Sequence, residues 1–214
     1  MAFKIVLTWL LALLPGLAAA GNLGVTILDA SGKPVADAVV TLRPAGAQPA
    51  IPAQAHLHRV VDQRNQMFVP YVQVVRPGDE VVFRNSDRTF HHVYSFSAVR
   101  GFDFVLAPGH SSPPLLLDKT GAIAVGCNIH DQMISYLYVT DAPRFGQSGP
   151  SGSVVFEDLQ AGNYEVHVWQ PRLRPGKPEP EQSVVVSEGT KSISLTLTLL
   201  PDPRHRTDLE HVHY

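Results

Sequence analysis

Residues 126–133 read Gly-Cys-Asn-Ile-His-Asp-Gln-Met, so the only cysteine of the chain, Cys127, stands three residues before His130, and His130 three before Met133. Thiolate, imidazole and thioether are the donors with which proteins hold soft and borderline transition ions. Upstream, Phe90-His91-His92-Val93 supplies further imidazole from a separate part of the chain. The bland alternative is packing, because one cysteine near a methionine often does no more than fill a core. A nucleophilic cysteine fits less well. No glycine-rich oxyanion turn or helix start flanks Cys127, and Met133 would have no part to play. No phosphate-binding loop, pair of catalytic carboxylates or Ser/His/Asp arrangement is evident elsewhere.

The start of the chain bears on that cysteine. Met1-Ala-Phe-Lys4 is a short positive stretch, residues 5–17 are almost unbroken apolar, and Ala18-Ala19-Ala20 offers the small residues of a cleavage site. This is the pattern of a secretory signal peptide over 1–20, too short for a comfortable membrane span. No cysteine follows the small residues, which argues against a lipoprotein, and no later apolar run is long enough to cross a bilayer. Removal of the leader takes away Lys4 alone and leaves 16 basic against 19 acidic residues, a net charge of −3. In an oxidising compartment cysteines usually pair, and Cys127 has no partner in the chain. It is therefore buried and inert, joined to another chain, or protected by chemistry such as a bound metal.

Strands must position these donors. The 214 residues suffice for one large domain or two small ones. Charged residues make up only 17%, with no block of like charge to suggest nucleic acid or a lipid surface. The 18 prolines and 16 glycines are scattered, which signals many turns rather than a low-complexity tract. Apolar alternation between such turns predicts strands over 24–29, 38–43, 71–75, 80–84, 90–96, 122–126, 134–139, 153–156, 164–169, 182–186 and 193–199. No helical periodicity competes with them. The expected class is all-β, built from β-sandwiches.

Two resemblances divide these strands. Asp29-x-x-Gly32-x-Pro34-Val35-x-x-Ala38-x-Val40-x-Leu42 resembles the opening of a carboxypeptidase-regulatory-like (transthyretin-like, carbohydrate-binding-like) sandwich. The continuation expected of that family, Phe156-Glu-Asp-Leu159-Gln-Ala-Gly162-Asn-Tyr164, arrives more than a hundred residues later. The economical reading is one discontinuous sandwich from 21–48 and 148–200, with a second domain over 49–145 inserted at a loop tip and a tail over 201–214. Two consecutive domains are the alternative. The segment 49–145 resembles a cupredoxin, the blue-copper fold, closest to the short-loop amicyanin and plastocyanin type, and bacterial chains of this build are often associated with methylamine utilisation. The shared pattern is Asn85-x-x-x-x-x-His91, then Cys127-x-x-His130-x-x-Met133.

The resemblance implies His91, Cys127, His130 and Met133 as ligands of one type 1 copper ion, and a periplasmic protein that carries single electrons between redox partner proteins without being an enzyme. The chemistry agrees. Thiolate and thioether suit Cu(I), imidazole suits Cu(II), and a site between their preferences changes little on electron transfer. Zinc is the next metal, although its sites seldom use methionine. Strand alternation sends His91 and His92 to opposite faces, so only one is the in-plane ligand. The spacing from Asn85 favours His91, and His92 then stands where the family usually has an asparagine that ties the two ligand loops together. A second departure is Ile129 before His130, where many relatives have proline. Asp131 beside the outer ligand would favour Cu(II), or is merely a solvated turn residue.

Phe90, Ile129 and Tyr136 are candidates for an apolar docking rim around His130. His56-x-His58 and His211-x-His213 imitate the paired histidines of multicopper oxidases, but one cupredoxin segment cannot assemble such a cluster, so they read as surface residues. Rival functions are copper storage or delivery, a carbohydrate-binding or adhesion protein whose cupredoxin part is structural, and a copper oxidase or reductase.

Overall fold

The structure is a computed structural model in which residues 20–46 and 56–205 are described. Residues 1–19 of the expected leader over 1–20 and the His211-x-His213 pair lie outside the described residues, while Ala20 opens the first strand. Among the described residues, regular structure is β, apart from one turn of 3-10 helix at Pro203–His205. No helix among the described residues is long and apolar enough to cross a membrane.

One pair of sheets uses both ends of the chain. Its strands are β1 (Ala20–Asp29), β2 (Val39–Pro44), β12 (Arg144–Gln147), β13 (Ser153–Gln160), β14 (Gly162–Trp169), β15 (Glu181–Val186) and β16 (Gly189–Leu197). They assemble in the orders β13-β1-β16 and β12-β2-β14-β15. Alternation decides which faces meet. Leu23, Val25 and Ile27 of β1 point inward against Val40 and Leu42 of β2 and Val166 of β14, all buried in one cluster. Each such side chain contributes about 1.5–3 kcal/mol by leaving water.

The second pair is made by the chain in between. Its strands are β3 (His58–Arg64), β4 (Met67–Val69), β5 (Val72–Val75), β6 (Glu80–Asn85), β7 (His91–Phe96), β8 (Gly101–Leu106), β9 (Leu115–Leu116), β10 (Gly121–Cys127) and β11 (Ile134–Val139). The orders are β5-β11-β10-β7-β8 and β4-β3-β6-β9. Phe83, Val93, Ile123, Val125 and Leu137 fill the space between them, together with Cys127 and Met133. Strands β3, β4, β8, β9 and β12 were not expected from periodicity. In β3 the usual rule is inverted: Val60 is exposed while Gln63 is fully buried, its amide donating to the Arg84 carbonyl. The β3–β4 turn places both Asn65 and Gln66 at positive φ, 53° and 56°, as a tight two-residue hairpin requires.

A third apolar cluster joins the two pairs of sheets. Val39 and Trp169 from one side meet Tyr71, Val72 and Val74 from the other. Trp169 stacks on Tyr138 with ring centroids 4.7 Å apart, and stands edge-on to Tyr136 at 6.0 Å. Charged groups rim this contact. Arg43 pairs with Asp141, and Arg76 donates to the carbonyls of Ala142 and Pro143 while lying over the Phe145 ring. The two sandwiches therefore share a packed, partly aromatic interface rather than a bare linker.

Candidate metal centre

Adjacent strands and one short loop position the donors. In the five-stranded sheet β7 pairs with β10, and Cys127 faces Val93 in register. Residues two apart on a strand share a face, so His91 looks the same way as Val93, into the core. The loop from Asn128 to Gln132 is closed by its own backbone: the Cys127 amide donates to the Met133 carbonyl at 3.2 Å, and the Met133 amide to the His130 carbonyl at 3.0 Å. The Asn128 amide reaches across to the His92 carbonyl at 3.0 Å, tying the loop to β7.

The result is a compact cluster. Sγ of Cys127 lies 3.7 Å from Nδ1 of His91 and 3.7 Å from Nδ1 of His130. One donor atom from each of the three residues falls within 4.8 Å of the others. His91 is fully buried, Cys127 nearly so, and His130 partly open. A thiol sulfur and two imidazole nitrogens this close could together hold one soft or borderline transition ion. The donor set fits a metal of that kind. Met133 is buried in the same core cluster as Cys127, at the end of the loop.

Electrostatics favour neutral imidazole at the rim. Burial pushes His130 below its ordinary value, the neighbouring His91 adds to this, and Asp87 opposes it. Behind the other histidine, Nε2 of His91 meets Oδ2 of Asp87 at 2.9 Å. Desolvation works to raise the Asp87 carboxyl. The amides of Gln66 and Asn65 and the His91 ring outweigh it and hold Asp87 below the usual carboxylate range. Asn85, fully buried, organises the approach to this pair. Its amide donates to the carbonyls of Thr89 and Leu106, and its oxygen accepts from the Asp87 amide.

His91, Cys127 and His130 are thus brought together, and His92 is left out. Nε2 of His92 pairs instead with Asp103 on β8 at 2.8 Å. The tie between ligand loops anticipated for the His92 side chain is made by its backbone carbonyl, because the ring faces away from the loop. Tyr136 is also displaced from its expected place. It packs between Tyr71 and Trp169 in the cluster joining the sandwiches, since β11 turns that face toward β14. Phe90 and Ile129 are exposed, at 56% and 53%. A groove of about 640 Å³ opens beside His130, lined among others by Ile129, Asp131, Gln66, Tyr71 and Arg204. His58 pairs with Glu80 at the surface, and the His56 ring rests on Gly78. Sequence reasoning missed Asp87, although a carboxylate four residues before a candidate histidine was there to be read.

The chain matches no protein-family model and no curated protein. Among solved structures it is similar to a purple cupredoxin from Nitrosopumilus maritimus, at 15% identity over 38% of this chain and 99% of that one, with TM-score 0.35. It is similar to amicyanin, in the oxidised state of a point mutant, at 20% identity over 38% of this chain and 81% of that one, with TM-score 0.36. A copper-containing nitrite reductase from Thermus scotoductus resembles it at 19% identity over 46% of this chain and 25% of that one, with TM-score 0.37. These neighbours are cupredoxins or contain copper by name, while the case for a metal in this chain rests on its own donor atoms.

Proposed function

We propose that the chain is a type 1 copper protein that passes single electrons between redox partner proteins, with His91, Cys127, His130 and Met133 holding one ion. The observation that carries this reading is the pair of equal 3.7 Å separations from the Cys127 sulfur to two imidazole nitrogens in a buried pocket. Copper in such a set supplies a one-electron couple whose two states accept nearly the same coordination. The chain's part is to keep the donors still. Strands β7 and β10 fix His91 and Cys127, and the Cys127–Met133 hydrogen bond closes the loop that carries His130. Burial of Cys127 keeps bulk oxidants from its sulfur. The partly open ring of His130, beside exposed Phe90 and Ile129, is the electron's route to a docked partner.

The rest of the reading follows from this role. Residues 1–20 export the chain to the periplasm and are removed there. The copper-binding sandwich is an insertion in an outer sandwich of carboxypeptidase-regulatory-like build, and pairing of β12 with β2 supports a return to the outer sandwich at Arg144. The outer sandwich serves as a scaffold or partner-binding module, and the chain is not an enzyme.

Addition of Cu(II) to the purified full chain tests the centre. One equivalent should give strong absorption near ~600 nm from thiolate-to-copper charge transfer. Cys127→Ser should abolish it. A pale or absent band with the wild-type chain would overturn the electron-transfer role, favouring storage, delivery or a purely structural sandwich.

A further inference from the structure

Buried metal-binding imidazole needs its second ring nitrogen satisfied, and the group that satisfies it sets the tautomer and the basicity of the ligand. In this chain that group is a carboxylate. Nε2 of His91 lies 2.9 Å from Oδ2 of Asp87, while Nδ1 of the same ring faces the Cys127 sulfur at 3.7 Å. His91 is fully buried and the Asp87 side chain is 13% exposed, so the pair is little screened by solvent. The carboxylate cannot easily turn away. The Asn65 amide donates to Oδ1 at 2.6 Å and the Gln66 amide to Oδ2 at 2.9 Å, both from the β3–β4 turn. The Asp87 amide is itself held by the Asn85 side chain at 2.9 Å. Among the described residues no side-chain carboxylate hydrogen bond backs His130, whose ring opens on the groove.

We propose that Asp87 is a positioning residue of the metal centre: it accepts the Nε2 proton of His91, presents the Nδ1 lone pair to the ion, and weights the site toward Cu(II). The proposal rests on the copper reading above. Charge bookkeeping gives the direction. With the Cys127 thiolate and the Asp87 carboxylate nearby, Cu(II) leaves the buried site neutral, whereas Cu(I) leaves it with one net negative charge. Uncompensated charge in a poorly solvated site is the costlier state.

The test uses the full chain. In the ¹⁵N-labelled apoprotein, long-range proton–nitrogen correlation should find His91 protonated at Nε2 and bare at Nδ1. After copper loading, Asp87→Asn should shift the ratio of Cu(II) to Cu(I) affinity about tenfold toward Cu(I), a rise of about 59 mV in the one-electron midpoint potential. Asp87→Glu, which restores the charge, should bring the potential part of the way back. An unchanged potential in Asp87→Asn with its blue band intact overturns the proposal, and so does an Nδ1-protonated His91 in the wild type. If the wild type takes up no copper, the function proposed above fails, and the tautomer still decides the role of Asp87. If Asp87→Asn does not fold, the Asp87→Glu potential and the wild-type tautomer decide it.

Discussion

The guanidinium of Arg204 sits 3.7 Å from the ring centroid of Tyr71, bringing the segment after β16 against the sandwich that holds His91, Cys127 and His130. The same group chelates Asp202 with two nitrogens and reaches Asp37 at 3.4 Å. Arg204 therefore clamps one sandwich to the other at the edge of the groove beside His130. A cation over an aromatic ring is worth about 0.5–2 kcal/mol, depending on solvent access. Arg204→Ala should lower unfolding stability by about 1–3 kcal/mol in urea titrations. Arg204→Lys should recover only a minor part, because lysine cannot make the two-pronged contact.

Asp202 carries a pH dependence of known sign. Hydrogen bonding from Arg204 lowers its carboxyl from 3.8 to about 2, against the opposing effect of burial. The contribution to stability is thus complete above about pH 4, and is lost as pH falls from 4 toward 2. The full shift would correspond to about 2.4 kcal/mol, and solvent around the Arg204 side chain screens it to about 1 kcal/mol. Urea unfolding of the apoprotein at pH 6, 4 and 2.5 should show the gap between wild type and Asp202→Asn closing across that window. A gap that stays constant would contradict the assignment.

His92 offers a discriminating substitution. Its ring pairs with Asp103 at the surface of β8, and only its backbone carbonyl holds the loop from Asn128 to Gln132. His92→Asn should leave the ~600 nm band in place. It should change stability by less than about 1 kcal/mol, as expected for a partly exposed pair. Loss of the band would point to His92 as a ligand after all.

Asn85 is the reverse case. Three hydrogen bonds converge on this fully buried amide, from the Asp87 amide and to the Thr89 and Leu106 carbonyls. Asn85→Ala would strand those groups, at about 1–3 kcal/mol for each one left buried without a partner. The expected readouts are a markedly lower thermal midpoint and weaker copper retention against a chelator, because the loop carrying Asp87 and His91 loses its anchor.

Trp169 reports on the contact between the sandwiches. Its ring stacks on Tyr138 and meets Tyr136 edge-on. Trp169→Ala should cost about 3–5 kcal/mol. Calorimetry should then show separate transitions if the shared cluster is what makes the two sandwiches unfold together.

Local pattern was enough for the all-β class and for the crowding of thiol, imidazole and thioether between Cys127 and Met133, because strand alternation and a five-residue loop are properties of neighbouring residues. Strands β3 and β8 escaped notice for the same reason: β3 exposes Val60 and buries Gln63, and β8 is an edge strand whose Phe102 and Phe104 are only partly covered. Along the chain, His91 and His92 are equivalent neighbours on opposite faces. Which of them meets the sulfur depends on the register of β7 against β10, 36 residues away in sequence. The same holds for the Asn65 and Gln66 amides that orient Asp87 behind His91, and for the packing of Tyr136 against Tyr71 and Trp169. Each requires segments far apart in sequence to be brought to hydrogen-bonding or van der Waals distance. Only the packed sheets set those distances, since backbone pairing and core filling select one register among many that the pattern of residues would allow.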